Sequence, residues 1–177
     1  MRLSSLLPAL AVLVAPAALA GDDTLVSDAR GVIQSFLKKD PHIEKFFSSA
    51  AGYAVFPTIA KGGFVVGGAG GDGVLFVGGH PVGKSSMGQA SVGFQLGGQT
   101  YSEIIFFENA STLNAFKKGN FALAAQASAV ALSAGAAATA NYENGVAIFT
   151  ATKTGLMYEA SVGGQKFGFQ PFGAHGK

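Results

Sequence analysis

Cysteine is missing from all 177 residues, and so is tryptophan. Without cysteine there is no disulfide, no thiolate nucleophile, no Cys-ligated zinc and no lipid-modified cysteine to act as a tether, so stability rests on packing alone. Charge is sparse too: 12% of residues are charged, twelve basic against ten acidic, and the basic ones are scattered. A nucleic-acid groove needs a basic stripe, and none is present. The three histidines, His42, His80 and His175, lack ligand spacing in any pair, so no metal site is expected.

Met1-Arg2 supplies one positive charge, Leu3 to Leu19 carries none, and Ala18-Leu19-Ala20 is the small-x-small pattern that a signal peptidase accommodates. Pro8 and Pro16 interrupt the run, which falls short of the roughly 20 apolar residues that span a bilayer. A signal peptide over 1–20 is therefore expected, and export to the periplasm or the cell exterior with it. The remainder, 21–177, suits a single domain. With no anchoring cysteine, any membrane contact falls to the fold itself.

What the sequence has in excess is glycine, 26 of 177 residues, about double the roughly 7% average. Thr24 to Lys39 is read as an amphipathic helix, with Leu25, Ala29, Val32, Ile33, Phe36 and Leu37 at helical spacing. Asp40-Pro41 stops it and opens a second short helix with Ile43, Phe46 and Phe47 on one side. The period then changes to two. Runs at Tyr53–Phe56, Phe64–Gly68, Val74–Val77, Gly88–Leu96, Tyr101–Phe107, Val146–Thr152, Leu156–Val162 and Gln165–Phe172 read as strands, with a hairpin at Gly163-Gly164. Asn109 to Lys118 reads as an inserted helix ended by Gly119. Phe121 to Ala140, nearly all Ala, Ser, Val and Leu, has no decisive period.

Two motifs suggest chemistry. Gly68-Ala69-Gly70-Gly71-Asp72-Gly73 matches a dinucleotide fingerprint, but Val74–Val77 continues as strand where that site needs a helix. A glycine hairpin is the better reading, and no cofactor is expected. Ser35-Phe36-Leu37-Lys38 and Lys153-Thr154-Gly155 resemble fragments of serine acyl enzymes, with Ser35 and Lys38 as the candidate pair. The third element is absent from its place between them, so an enzyme is not expected.

Lys38, Lys39 and Lys45 cluster at the end of the first helix beside Phe36, Leu37, Phe46 and Phe47, and Lys61 precedes a glycine-rich strand. Such a helix can lie in a lipid headgroup layer. The same spacing equally serves a helix packed on a sheet with its lysines solvated, and on the residues alone that is the stronger reading.

The blocks Gly52-Tyr53-Ala54-Val55-Phe56-Pro57, Lys61-Gly62-Gly63-Phe64-Val65-Val66-Gly67-Gly68, Gly73-Val74-Leu75, Ala90 to Gln99 and Gly155 to Gly164, in that order, resemble the SYLF domain family. The resemblance covers about Val26 to Phe172. The helical and strand runs together give an α+β fold: a strongly curved, mostly antiparallel β-sheet, a cradle or partial barrel, with two N-terminal helices and one short inserted helix. The resemblance agrees with it. It also leans Phe121–Ala140 towards strands. By the same resemblance the protein is a non-enzymatic module that binds phospholipid or a membrane surface, with Lys38, Lys39 and Lys61 as candidate contacts, to which the residue reading adds Lys45, Phe36 and Leu37. Many members carry a Trp-Ser-x-Pro-like segment where His80 to Met87 stands here, which bears on ligand specificity. A small outer-membrane β-barrel, or a structural envelope protein, is the alternative.

Overall fold

The computed structural model describes residues 17–93, 98–124, 126–154 and 162–173. The expected strand Leu156–Val162 and His175 lie largely or wholly outside these residues. Helix α1 runs Ala17–Lys39, so in the full-length chain it passes through the expected cleavage point at Ala20. A 3₁₀ turn, Pro41–Ile43, and α2, Glu44–Ser49, follow directly.

Among the described residues six strands form one sheet in the order β4-β5-β3-β1-β2-β6: β1 Gly52–Val77, β2 His80–Gly93, β3 Gln99–Phe107, β4 Val130–Ala131, β5 Val146–Thr154 and β6 Lys166–Pro171. Every pairing is antiparallel except the two-residue contact of β4 with β5. The sheet is open, and among the described residues it does not close into a barrel. Helix α3, Ala110–Lys117, is capped by Asn109, whose side chain accepts from the Thr112 N–H, and buries Leu113 and Phe116. α3 thus forms where its spacing and its Asn109 cap place it, and α1 stops at Lys39 as read. But α1 starts at Ala17 and runs on through Thr24, where the spacing puts its beginning.

β1 departs most from its sequence reading. Three glycine-punctuated runs become one 26-residue strand, whose positions 52–61 pair with β3 and 65–77 with β2. A Cβ added at Gly52, Gly73 or Gly71 would meet the carbonyl oxygen of Phe76, Val55 or Thr58 respectively. These approaches step in opposite directions along the two halves, so the halves run antiparallel against each other. The glycines of the G-x-G-x-x-G segment therefore lie within the strand, and at Gly71 and Gly73 the halves come too close for a side chain. The tight turn lies further on, at Gly78 and Gly79, both with positive φ. β1 and β2 are each longer than the roughly ten residues that a tilted membrane strand needs.

Phe121–Ala140 is corrected more fully. Among its described residues only Val130 and Ala131 form a strand, and Ala136–Ala138 is a 3₁₀ turn. Alanine and serine offer neither branched side chains nor a wide apolar face, so sheet pairing gains little from them. The segment instead spans the two sheet edges. At one end Ala122 bridges Lys166 and the Leu123 N–H donates to the Gln165 carbonyl; at the other Val130 pairs with Phe149.

Both sheet faces are covered. On one, Tyr53, Val55, Phe76, Ile104, Phe106 and Phe149 pack beneath α1 and α2 through Val32, Phe36, Ile43 and Phe46. On the other, Phe56, Ile59, Leu75, Ile105, Phe107 and Ile148 pack beneath Phe116, Leu123 and Phe167. Asp40 ties the helices down. Its side chain is 0% exposed, accepts from the His42 N–H at 3.1 Å and lies 2.8 Å from His42 Nδ1. Its other oxygen accepts from the Ala137 N–H at 2.6 Å.

That Ala137 bond, followed by the bonds from His42, holds the Asp40 carboxyl down at about 2. A carboxyl lowered on folding contributes stability above its unfolded pKa of 3.8 and loses it as pH falls towards about 2. Asp40→Asn is therefore expected to be less stable than the parent at neutral pH, with the gap closing between about pH 4 and pH 2. Thermal melts of both proteins across that range test this, and a constant gap would refute it.

Candidate functional site

α1 lays Ala29, Val32 and Phe36 into the core, with Leu25, Val26, Ile33 and Leu37 partly buried beside them. Arg30 sits over the Phe76 ring at 5.8 Å. The apolar face of the helix is thus committed to the sheet. Phe36 is 1% exposed, so a headgroup could reach its ring only if α1 lifted away.

The four candidate lysines separate. Lys38 and Lys39 end α1, exposed, where positive charge complements the helix dipole. Lys45 is a brace: its Nζ donates to the carbonyls of Ala138 at 3.0 Å and Ala140 at 2.9 Å, and lies 5.0 Å from the Phe46 ring centre. Lys61 is on β1, opposite Gln99 of β3, half-buried. Of the four, the structure places Lys39 in a concave site.

That site is a groove of about 430 Å³ between α1 and the bulged part of β1 with the adjoining ends of β3 and β5. One wall is a stripe of α1 carrying Ser27, Asp28, Ser35 and Lys39; the facing wall includes Thr58 and Lys153. The register of β1 against β3 shifts between Phe56 and Ile59. The Ser102 hydroxyl donates to the Pro57 carbonyl at 2.7 Å and so fixes the bulge. The bulge presents Thr58, whose Oγ1 accepts from Lys153 Nζ at 2.9 Å.

Among the described residues the salt bridges are His42–Asp40 and Lys84–Asp72, so Lys39 and Lys153 have no carboxylate partner there. The groove offers two ammonium groups, hydroxyl donors and one carboxylate, Asp28. That set suits an anion with a polar substituent.

Sequence reasoning weighed Lys153 only as part of K-T-G. The structure does bring it to the same groove as Ser35, while Lys38 is not among the lining residues. No chemical spacing rule links position 153 to the first helix. The crossing of β5 beneath α1 makes the connection.

A second polar group is enclosed. Glu103 on β3 is 0% exposed and accepts from Gln165 Nε2 at 3.1 Å. Its cross-strand neighbour on β5 is Thr150, also buried. Glu103 Oε1, Thr150 Oγ1 and Gln165 Oε1 have no hydrogen-bond partner among the described residues. Burial pushes the Glu103 carboxyl up to about 7 against the pull of the Gln165 bond. Burial, and then Glu103, push the Tyr101 hydroxyl up as well. A legible signal existed: alternation in Tyr101–Phe107 puts Glu103 on the same face as Tyr101, Ile105 and Phe107.

A cleft of about 500 Å³ is lined by Phe121, Leu123, Ala129, Asn141 and Ile148, among others. Among the described residues no group of His, Asp or Glu could hold a metal ion, and no helix is long and apolar enough to cross a membrane.

Residues 88–170 match the family described as Ysc84, Las17-binding protein actin regulator. Over 132 residues the chain is 30% identical to Beta cell expansion factor A of Aeromonas veronii, which covers 73% of this chain and 49% of that protein. The chain spans about half the length of this curated relative.

Proposed function

Because this chain belongs to the SYLF (Ysc84) domain family, we propose that it is a non-catalytic phospholipid-binding module of the periplasm or cell exterior. It contacts anionic headgroups through the lysines that end α1. The observation that supports this is the placement of exposed, carboxylate-free Lys38 and Lys39 beside a groove that Lys153 enters from the opposite wall. Each basic side chain near an anionic surface adds about 1 kcal/mol, and the attraction weakens with salt. With Phe36 packed in the core, docking is electrostatic and needs no ring insertion. The family description names actin regulation. An exported protein does not meet cytosolic actin, so that role is not part of the reading.

Co-sedimentation with phosphatidylglycerol-containing and pure phosphatidylcholine vesicles tests the proposal. Preference for the anionic vesicles is expected, and Lys38→Glu with Lys39→Glu is expected to weaken it about thirtyfold, as two such contacts imply. Equal binding to both vesicle types, or an unchanged double variant, would refute it. Labelling of Ser35 by a fluorescent penicillin would overturn the non-catalytic part.

A further inference from the structure

We propose that the groove beside α1 seats a phosphodiester whose substituent carries a hydrogen-bond donor, the phosphate lying between Lys39 and Lys153 and the donor reaching Asp28. This rests on the phospholipid reading above and names the headgroup class.

Charge is the first argument. Two ammonium groups against one carboxylate leave the groove with a single net positive charge. That balances a diester, which carries one negative charge, and leaves a polyphosphorylated headgroup undercompensated beside Asp28. Thr58 supplies the second argument. Its oxygen already accepts from Lys153, so its own O–H is left to donate to a phosphate oxygen. Lys153 and Thr58 therefore form a prearranged pair of donors, with the ammonium held in place before ligand arrives.

Geometry is the third. Asp28 and Lys39 lie on one α1 stripe, about 16 Å apart along the axis at the helical rise, with Ser35 between them. A lysine on a helix leans towards the N-terminus and shortens the gap to Asp28. Room remains for a phosphate against Lys39 and a short substituent beyond it. Asp28, exposed and without an ion pair among the described residues, can accept from an ammonium or hydroxyl there. A quaternary ammonium has no hydrogen to give, so a choline ester gains less.

The test uses two soluble diesters of equal net charge whose glycerol hydroxyls are acylated, dihexanoyl phosphatidylethanolamine and dihexanoyl phosphatidylcholine, titrated as monomers into the purified protein and followed by amide NMR shifts. The ethanolamine ester is expected to shift α1 and residues 151–153 and to bind at least threefold more tightly than the choline ester. Lys153→Gln is expected to weaken both about fivefold, one contact's worth. Asp28→Asn is expected to erase the difference between them. Lys118→Gln, at the C-cap of α3 against the opposite sheet face, is the charge control.

Equal binding of the two diesters by the parent, or a Lys153→Gln loss no larger than that of Lys118→Gln, would overturn the seat. Vesicle sedimentation that persists while groove signals stay fixed discards the seat and leaves the membrane reading intact. Groove shifts without sedimentation do the reverse.

Discussion

Gly73→Ala is expected to destabilise the protein by on the order of 3 kcal/mol, a cost set by overpacking against backbone. A Cβ at this position would lie 2.6 Å from the Val55 carbonyl oxygen and 2.6 Å from the Phe56 ring. The ring is fully buried, and the carbonyl belongs to the other half of the same strand. Neither can yield without moving β1, which pairs with both β2 and β3 and carries core residues of both sheet faces. For a domain of this size the melting temperature should fall by roughly 6–12 °C. Gly88→Ala is the matched control: a Cβ there meets nothing within 4 Å, and its φ is not positive. Its cost should be nil or slightly negative. Equal melting temperatures for the two variants would show that the halves of β1 do not press together as described.

Glu103→Gln is expected to stabilise the protein above neutral pH and to leave it nearly unchanged near pH 4. The carboxyl rises on folding from 4.5 to about 7 because burial penalises its charge. Between those values the unfolded chain holds fewer protons than the folded one, so Glu103 makes stability fall as pH rises. Below 4.5 both states are protonated and nothing is lost. The full difference, on the order of 3 kcal/mol, is reached once pH exceeds about 7. Glutamine keeps a carbonyl oxygen to accept from Gln165 Nε2 and carries no charge to desolvate. Urea unfolding of both proteins from pH 4 to pH 8.5 measures the difference directly. A gap independent of pH, or a variant less stable than its parent at pH 8, would contradict the buried-carboxylate account.

The N-terminal and inserted helices, and most of the strand runs, were legible in the sequence. Spacing in Leu25–Leu37, the Asp40-Pro41 stop, the Asn109 cap and the alternation in Tyr101–Phe107 are short-range signals, and short-range physics suffices to read them. The functional calls were less legible. Lys45 stands beside Lys38 and Lys39 in sequence, yet its ammonium is spent on two carbonyls more than ninety residues away. Lys153 sits far from all three and shares a groove with Lys39.

By itself, then, the sequence determined the periodic elements, their caps and breaks, the absence of thiol chemistry and the overproduction of glycine. Tertiary structure decided which of those glycines are obligatory, because the approach of one half of β1 to the other at Gly71 and Gly73, and of β6 to β2 at Gly83, removes the space for a side chain. It decided that Phe121–Ala140 is a connection between sheet edges, since a run of small residues has no face to declare. It also decided which lysines remain available to a ligand, because a charge is free or spent according to what long-range folding brings beside it.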